Sequence, residues 1–380
     1  MKVAFVHDYL TQLGGAERVL LEMHRLFPAA PIFTSLYDPR RCGDAFAHLD
    51  VRTTWLQRVP YAARFFRALL PLYPAAFESL DLSGYELVIS STTSFAKGVR
   101  VKPGTLHVAY VNTPTRFVWR APGYAFDVMP AIARPAFVAI GPALRRWDLA
   151  AAKRPHRIIA NSRNVAERVR RIYGRQSDVL ACPVDVADFA PAPQTDGYYL
   201  VVARLLPYKR VNLAIEACNA LGVPLIVVGA GPQERSLRKL AGRTVYFAGR
   251  VDDRARRRLF AGAEAVIVPG IEDFGLVPVE AAAAGRPTVA FAAGGALETV
   301  IEGKTGVFFR EPTARSLAAA IEDVASRSFS QAELVGHAAL FAPQRFRAAL
   351  AALLQRYLQE FGSAGQAVSG ELKTPAASCA

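Results

Sequence analysis

Cysteine is scarce in this chain, and its arrangement excludes the usual cysteine chemistry. Four cysteines occur in 380 residues, at positions 42, 182, 218 and 379, and no two form a C-x-x-C pair. Structural zinc sites and disulfide frameworks both need cysteines at close, paired spacings, so the sequence argues against either. Single scattered thiols suit a reducing compartment, and we therefore expect a cytoplasmic protein.

Long uncharged apolar runs are also missing. The segment Met1–Asp8 holds too short an apolar run for a signal peptide. No window of about 18 uncharged apolar residues occurs, which predicts that no helix spans a membrane. The most apolar region, residues 125–144, is interrupted by Asp127, by Arg134 and by prolines.

Acidic residues are too few to balance the basic ones. Asp and Glu number 32 against 46 Lys and Arg, so the net charge is +14. Such a charge favours an anionic partner, which could be a nucleic acid, an anionic membrane surface or a phosphorylated substrate. Charge alone does not choose among these three.

Two segments concentrate the positive charge. Residues 52–67 carry four arginines and no acid, interleaved with aromatic residues. They predict a helix that either lies on an anionic membrane or faces the core with a basic outer side. Residues 145–175 hold ten Arg or Lys against two acids, which indicates a solvated face or, alternatively, a phosphate-binding surface.

The G-x-G-x-x-G dinucleotide fingerprint is absent, but the α/β rhythm that usually carries it is present. The chain opens with an apolar strand, a turn at Gly14 and Gly15, and an apolar-periodic helix. The proline-rich segment Val186–Gly197 reads as a linker, after which strands and helical patterns alternate again. Further strands are predicted in each half: Glu86–Ser91, His107–Val111, Arg157–Ala160, Tyr198–Ala203, Pro224–Gly229, Val245–Ala248, Glu264–Val268, Pro287–Phe291 and Gly306–Phe309. We predict two doubly wound α/β domains.

The segment Glu272–Glu280 is the centre of the second half. It joins a buried strand to a helix, and Gly275 allows a backbone or a ligand to approach closely. At ~1.5 Å rise per residue, Glu280 lies roughly 7–8 Å up the helix from Gly275, about the offset between a diphosphate and its ribose. A solvated helix start with favourable acids is the alternative interpretation.

Polar residues and glycines follow several other predicted strands. Arg204 and Lys209 follow the first strand of the second half and could converge on one diphosphate. Gly229 and Val251 follow the next two strands, so all four could share one nucleotide pocket with Glu280. In the first half, Ser90–Ser94 ends a strand and could bind a ligand or cap the next turn. Asn112–Arg116 follows another strand, at the end where open α/β sheets place ligands.

These motifs, in this order and spacing, resemble glycosyltransferase family 4 (group 1), whose retaining GT-B enzymes use nucleotide-sugar donors. The resemblance covers nearly the whole chain and is strongest from residue 198 to 309. Its motifs are Gly14–Glu17, Ala203–Leu205 with Lys209, Val228–Pro232, Phe247–Val251, the E-x7-E segment 272–280, Gly285–Val289, and Gly294 and Gly295 with Glu298. It implies two Rossmann-like domains facing across a cleft, with a C-terminal helix that crosses back to the first domain.

The resemblance also implies a role for each matched residue. Arg204 and Lys209 would hold the donor diphosphate, and Glu272 would bind hydroxyls of the transferred sugar. The remaining expected donor contacts are the backbone at Phe274, Gly275 and Leu276, the ribose ligand Glu280, Val251 near the base, Gly229, and Gly15 from the other domain. Thr113 and Arg116 are expected on the acceptor side.

Asn112 departs from the family, which usually has a histidine in this position of a Tyr-x-His-Thr-Pro segment. An amide can still hydrogen-bond a sugar hydroxyl, but it carries no proton at neutral pH. The change could alter sugar preference, lower activity or abolish it. We count Asn112 among the catalytic positions and expect activity to remain, because the family's front-face chemistry needs no enzyme nucleophile.

The expected domains are an acceptor-binding domain at residues 1–187, a donor-binding domain at 188–343, a crossover helix at 344–361 and a disordered tail at 362–380. No D-x-D triplet occurs, so we expect transfer without a metal or other cofactor. The expected donor is a GDP- or UDP-sugar, with GDP-mannose first, by resemblance to bacterial mannosyltransferases of surface polysaccharides. The expected acceptor is lipid-linked or a polysaccharide precursor at the inner membrane face.

Three alternatives stay open. One is a nucleotide-sugar epimerase or a phosphorylase with the same architecture. Another is a degenerate sugar-nucleotide binder, because of Asn112. The third is a nucleic-acid binder, although no recognised nucleic-acid module occurs in the sequence; we expect no nucleic-acid partner.

Overall fold

The computed structural model describes residues 1–62, 66, 69–119 and 134–371. Within these residues the first half of the chain forms a parallel sheet of seven strands in the order β3-β2-β1-β4-β5-β6-β7. The strands are β1 Val3–His7, β2 Ile32–Thr34, β3 Val51–Thr53, β4 Leu87–Thr92, β5 Leu106–Val111, β6 Arg157–Ala160 and β7 Asp178–Val179. The helices of this half are α1 Gly15–His24, α2 Pro39–Cys42, α3 Tyr73–Glu78, α4 Arg116–Trp119, α5 Arg134–Ala151 and α6 Arg163–Tyr173.

The central strands of this sheet are apolar because both sheet faces are covered by helices. Every residue of β1, β4 and β5 is buried. These strands were predicted from their apolar runs. The strands β2, β3 and β7 were not predicted, since segments of two or three residues are too short to show periodicity.

The second half of the described chain forms another parallel sheet, of six strands in the order β10-β9-β8-β11-β12-β13. Its strands are β8 Tyr198–Val202, β9 Leu225–Val228, β10 Val245–Gly249, β11 Ala263–Val268, β12 Thr288–Phe291 and β13 Gly306–Phe309. Its helices are α7 Val211–Leu221, α8 Glu234–Leu240, α9 Asp253–Gly262, α10 Leu276–Ala283, α11 Ala296–Thr299, α12 Ala314–Ser326 and α13 Gln331–Ala338. Each predicted strand of this half is confirmed to within two residues at either end.

The final helix, α14, runs Pro343–Glu371 and packs on the first domain, as predicted. The ring of Phe346 lies 6.0 Å from that of Tyr110 in β5, in an edge-on arrangement. Glu360 pairs with Arg157 of β6 at 2.8 Å. The helix continues ten residues past the predicted end at position 361, so the prediction of a disordered tail is wrong for 362–371. Small residues there lack the apolar period from which a helix is predicted; positions 372–380 lie outside the described residues.

The helix predicted over residues 52–67 is also wrong where the structure describes this segment. Arg52 belongs to the edge strand β3, and a 3-10 turn follows at Trp55–Arg58. Val59 is then extended, with φ −68° and ψ 127°, because a residue before proline avoids the helical region. Tyr61 adopts the left-handed conformation, with φ 56°. Arg64, Phe65 and Arg67 lie outside the described residues.

No helix in the described part of the chain combines the length and the apolar character that crossing a bilayer requires.

Candidate functional site

Each sheet has one topological switch point, and the two switch points carry the motifs selected from the sequence. In the first sheet β1 lies between β2 and β4, and Gly14 and Gly15 follow β1. In the second sheet β8 lies between β9 and β11; Arg204 and Lys209 follow β8, and Glu272 follows β11. Open α/β sheets bind ligands outside the carboxyl ends of the strands, at the point where the strand order reverses. The topology therefore brings the selected segments to the two facing edges.

The loop between β11 and α10 turns at a glycine whose backbone conformation few other residues adopt. Gly275 is the N-cap of α10 and has φ +99°, a conformation that other residues rarely adopt. A Cβ at this position would also lie 2.8 Å from the hydroxyl of Thr299. Main-chain pairing of Glu272 with Gly294 fixes the other end of the loop. The main chain from Phe274 to Leu276 is thus presented at the start of a helix.

Lys209 and Glu272 meet, although they lie 63 residues apart in the chain. The Lys209 ammonium donates to both carboxylate oxygens, at 2.6 and 2.7 Å. Both side chains are mostly buried, with 16% and 17% exposed. Arg204, on the same connection after β8, is exposed. Three of the predicted catalytic residues therefore belong to one corner of the second domain.

Glu280 is paired with Arg256, a residue that the sequence did not single out. Its carboxylate accepts from the Arg256 guanidinium within the second domain. Arg256 also lies 3.3 Å from Asp253, whose carboxylate pairs with Arg18 of α1 at 2.9 Å. Glu280 is thus linked to the first domain through three ion pairs in series. Its predicted role at a ribose stays a prediction.

A cavity lies between the two domains beside these ion pairs. Its lining includes Gly15, Arg18 and Glu22 of the first domain, and Leu276 and Glu280 of the second. A Cβ at Gly15 would lie 2.5 Å from the Leu276 side chain, so the absence of a side chain permits the domains to approach. Gly229 and Val251 end other strands of the second sheet and are not among the residues that line this cavity.

Asn112 and Thr113 lie buried at the carboxyl end of β5. The Asn112 amide donates to the Ser91 hydroxyl at 3.2 Å, and its main-chain carbonyl accepts from Asn161 at 3.0 Å. The Thr113 hydroxyl donates to the carbonyl of Pro114 at 3.2 Å. Both polar groups are therefore engaged within the first domain.

The turn that follows the hydroxyl-rich end of β4 is capped mainly by Asp8. Asp8, at the end of β1, is buried and accepts main-chain N–H bonds from Ser94, Phe95 and Ala96. It accepts a further bond from the Thr93 hydroxyl at 2.8 Å. Of the strand's own hydroxyl groups, that of Thr92 accepts the main-chain N–H of Ser94 at 3.2 Å, which matches the turn-capping alternative in part.

Arg116 reaches across to the second domain. Its guanidinium donates to the Tyr208 hydroxyl at 3.0 Å and pairs with the carboxylate of Asp273. Asp273 also binds Arg168 of α6 at 2.5 Å. Asp273, inside the E-x7-E segment, therefore joins two arginines of the first domain to the loop that carries Glu272. The predicted acceptor-side role of Arg116 stays a prediction.

The N-terminus of α6 docks on the same loop. The Ser162 hydroxyl donates to the main-chain carbonyl of Asp273 at 2.6 Å. Glu298 of the second domain accepts the main-chain N–H groups of Arg163 and Asn164, at 2.8 and 2.9 Å. These are first-turn donors that have no partner within the helix, so a carboxylate from one domain caps a helix of the other.

The electrostatic potential around Tyr208 is positive. Burial by itself raises the pKa of this phenol, but the charges of Lys209, Arg116 and Arg204 outweigh burial and lower the pKa below its usual value. Tyr208 lies between Arg204 and Lys209 in the chain, a position that could have drawn attention to it. The partners Arg168, Arg256 and Asp273 gave no such signal, because their pairing depends on how the domains meet.

The basic segment 145–175 divides between two roles. Arg168 is buried at Asp273, and Arg175 donates to the carbonyls of Ala152 and Pro155. Arg146, Lys153 and most of the others are exposed. The segment is therefore partly a structural support and partly a solvated basic face.

Two family models together match most of the chain. The model described as Glycosyltransferase Family 4 matches residues 13–188, and the model described as Glycosyl transferases group 1 matches residues 187–339. The chain belongs to the glycosyltransferases that these two models describe. The family predicted from the sequence motifs is thereby confirmed.

Individual proteins with similar sequences match only part of the chain. A glycogen synthase of Mycobacterium tuberculosis is 33% identical over 185 residues, which cover 44% of this chain and 45% of that protein. The D-rhamnosyltransferase WbpZ of Pseudomonas aeruginosa is 29% identical over 172 residues, which cover 40% and 45%. The chain thus spans less than half the length of either relative.

Solved structures match the chain over nearly its full length. Anabaena HepE in complex with UDP superposes with a TM-score of 0.69 at 19% identity, covering 94% of this chain and all of that one. At this identity the likeness is one of fold, and it confirms the predicted GT-B architecture.

Proposed function

We propose that this protein is a retaining glycosyltransferase that moves a sugar from a nucleotide-sugar donor to a lipid-linked or polysaccharide-precursor acceptor. The observation that carries the proposal is the contact of Lys209 with Glu272 beside Arg204 and the N-terminus of α10. A cation pair and free main-chain N–H groups suit a diphosphate, and a neighbouring carboxylate suits sugar hydroxyls. The family match supports the same chemistry.

Donor binding exchanges the partners of these groups. In the protein alone, Lys209 and Glu272 neutralise each other at 2.6 Å. With a donor present, Lys209 turns to the diphosphate and Glu272 accepts hydrogen bonds from the transferred sugar. The intramolecular pair keeps both side chains ordered at the site before the donor arrives.

The proposed reaction needs no enzyme nucleophile. The bond between the anomeric carbon and the diphosphate oxygen breaks, and the acceptor oxygen attacks the same face. The acceptor's proton passes to the departing diphosphate, which leaves with the electron pair of the broken bond. Arg204, Lys209 and the start of α10 stabilise the charge that develops on the leaving group, in place of a metal ion. Asn112 is not required to carry a proton in this scheme.

GDP-mannose is our first choice of donor, and UDP-sugars follow. A structure with a similar fold was solved in complex with UDP, so UDP-sugars belong in the first screen beside GDP-sugars. Ligands that bind the native state raise its unfolding temperature. We expect one nucleotide class to raise it clearly in a screen of GDP-, UDP- and ADP-sugars; no shift with any nucleotide would contradict the proposal.

Transfer is distinguished from its alternatives by product analysis. A transferase releases nucleoside diphosphate only when acceptor is present, whereas an epimerase releases none and a degenerate binder produces nothing. NMR of the product anomer tests retention, and an inverted linkage would contradict it. Loss of activity in chelator, restored by a divalent cation, would contradict metal independence.

We place the protein in the cytoplasm, peripherally bound to the anionic inner face of the membrane. Two features of the first domain support this location. Trp55 and Tyr61 are 40% and 75% exposed near basic residues, and α5 exposes Val138 and Leu149 on a basic surface. Exposed apolar side chains among cations are typical of proteins that bind anionic lipid surfaces.

Flotation with anionic liposomes tests the membrane surface. We expect R146E/K153E to reduce binding at low salt, because both residues are exposed on the proposed face. R235E/R243E makes the same change in net charge on exposed positions of the second domain and serves as the control. Equal loss in both variants, or no binding by the unchanged protein, would contradict a membrane face on the first domain.

A further inference from the structure

Arg116 occupies an unexpected position for an acceptor-side residue. It begins the short helix α4 of the first domain, four residues after Asn112. Its guanidinium nevertheless touches only the second domain in the contacts that the described residues make: the Tyr208 hydroxyl at 3.0 Å and the Asp273 carboxylate. The planar side chain lies over the Tyr208 ring, 5.2 Å from the centroid. Its contacts therefore face the corner that holds Lys209.

Tyr208 connects Arg116 to the cations predicted to hold a diphosphate. It belongs to the 3-10 turn Pro207–Lys209, so Lys209 is its neighbour in the chain and lies 5.3 Å from its ring. The positive charges of Lys209, Arg116 and Arg204 all act on this one phenol. Positive charges from both domains thus act on a single phenol.

Arg116 also has hydrogen-bonding capacity to spare. Its Nε atom is buried and has no hydrogen-bond partner among the described residues. A buried donor without an acceptor is costly, and a water, an ion or a ligand can supply the missing acceptor. A guanidinium offers a planar fork of donors that fits the oxygens of a phosphate.

From these contacts we propose that Arg116 is a third cation for the donor diphosphate, supplied by the first domain to the leaving group held by Arg204 and Lys209. This inference rests on the proposed function and changes the expected role of Arg116 from acceptor to donor. Because the residue comes from the opposite domain, the full set of cations assembles only when the domains are closed. Closure would then be coupled to the presence of a diphosphate.

Asp273 competes with the diphosphate for Arg116. It holds the guanidinium in the cleft in the absence of donor, while Arg168 on its other oxygen keeps the carboxylate in place. Removing the Asp273 charge therefore frees Arg116 for the ligand. A purely structural role for the Arg116–Asp273 pair predicts the opposite, since loss of either partner would then loosen the site equally.

The test compares nucleotides that differ by one phosphate. Calorimetry gives the affinities of GDP and GMP, and of UDP and UMP, for the unchanged protein and for R116A. We expect R116A to lose about 10-fold or more in affinity for the diphosphate, the size of a hydrogen bond to a charged group, and little for the monophosphate. R116K should lose less than R116A, because it keeps the charge but not the fork.

Asp273→Asn distinguishes a direct role from a structural one. We expect D273N to keep or increase the preference for the diphosphate, and guanidinium ion to restore transfer in R116A where ammonium does not. Equal loss of diphosphate and monophosphate affinity in R116A, or loss of the preference in D273N, would overturn the inference while leaving the proposed function intact. If the unchanged protein binds none of the four nucleotides, the proposed function fails and the inference with it.

Discussion

Gly15 shows how the absence of one side chain leaves room for close contact between two domains. Its α-carbon faces Leu276 so closely that a methyl group would lie 2.5 Å from the Leu276 side chain. The backbone conformation of Gly15 is not the reason for glycine here, because its φ is not in the positive range. The requirement is space at the interface where the predicted donor contacts converge.

The substitution Gly15→Ala should therefore lower donor affinity without lowering stability much. The added methyl group holds the domains apart at Leu276, and we expect roughly 10-fold weaker nucleotide binding, comparable to the cost of ~1–3 kcal/mol for overpacking a site. The measurement is nucleotide affinity by calorimetry. Gly141→Ala, where a Cβ meets nothing within 4 Å, is the control. L276A in the G15A background should recover part of the loss; no recovery would mean that contact with Leu276 is not the cause.

Lys97 and Asp148 form a buried ion pair that lies within the first domain and supports its fold. The side chains are 3% and 1% exposed, and the ammonium lies 2.6 Å from the carboxylate. Asp148 also accepts from Thr115, Trp119 and Tyr173, so each of its oxygens is satisfied. Burial alone lowers the pKa of Lys97, but Asp148 raises it to about 12.

We expect Lys97→Met to reduce the free energy of unfolding by roughly 3–5 kcal/mol, because it leaves a buried carboxylate without its counter-ion. Lys153→Met removes an exposed charge just after α5, the helix that carries Asp148, and should cost less than about 0.5 kcal/mol. Since the pKa of Lys97 is raised, its contribution is complete below the usual value of 10.5 and is lost as the pH rises toward 12. Equal stability of both variants in urea would contradict this account.

At the scale of elements, the junction between α6 and α11 binds the domains together. Glu298 of α11 caps the first turn of α6 at 2.8 and 2.9 Å, and Ser162 caps the same helix from within its own domain. Caps normally come from the residue that precedes the helix. Here two of the three capped N–H groups are bound by a carboxylate of another domain, so helix stability and domain docking depend on the same carboxylate.

Glu298→Ala should lower the free energy of unfolding by roughly 0.5–2 kcal/mol, the usual cost of losing a cap. Glu298→Gln keeps a hydrogen-bond acceptor without the charge, so its free energy of unfolding should lie between those of the unchanged protein and Glu298→Ala. Glu302→Ala, which breaks an exposed pair with Arg310, is the control and should cost less than about 1 kcal/mol. Urea unfolding measures all three; a larger loss in E302A than in E298A would refute the capping role.

At the scale of the whole molecule, α14 ties the C-terminus to the first domain. One face of the helix is buried, through Phe346, Leu350, Leu354 and Tyr357. These residues recur at intervals of three or four, as expected for a helix with one apolar side. The first strand, β1, and the final helix, α14, therefore belong to the same domain.

Leu354→Ala tests this packing. The side chain is 2% exposed, and we expect a loss of roughly 2–5 kcal/mol for a buried leucine, while Gln355→Ala on the exposed side should change stability by less than about 0.5 kcal/mol. Thermal unfolding with a probe of the first domain measures the effect. Equal unfolding temperatures for the two variants would show that α14 does not stabilise the molecule.

The features that the sequence determined by itself are local ones. The buried strands were predictable because continuous apolar runs suit a parallel sheet covered on both faces. The loop at Gly275 was predictable because a glycine between a buried strand and a helix marks a junction that a backbone or a ligand can approach closely. The structure adds that this glycine has φ +99°. The segment 52–67 was misjudged because composition indicated a helix, while Pro60 and pairing with β2 imposed turns and a strand.

Only the tertiary structure decided what the selected residues touch. Arg116 and Asp273 are 157 positions apart, and Glu298 and Asn164 are 134 apart, so their meeting depends on how two independent sheets are placed. Side-chain type and spacing predict chemistry along one strand or helix, but ion pairs across a cleft follow from the packing of whole domains. For this reason Lys209 and Glu272 could be selected as candidate site residues from their motifs, whereas the contacts of Arg116 with Tyr208 and Asp273 could not be predicted.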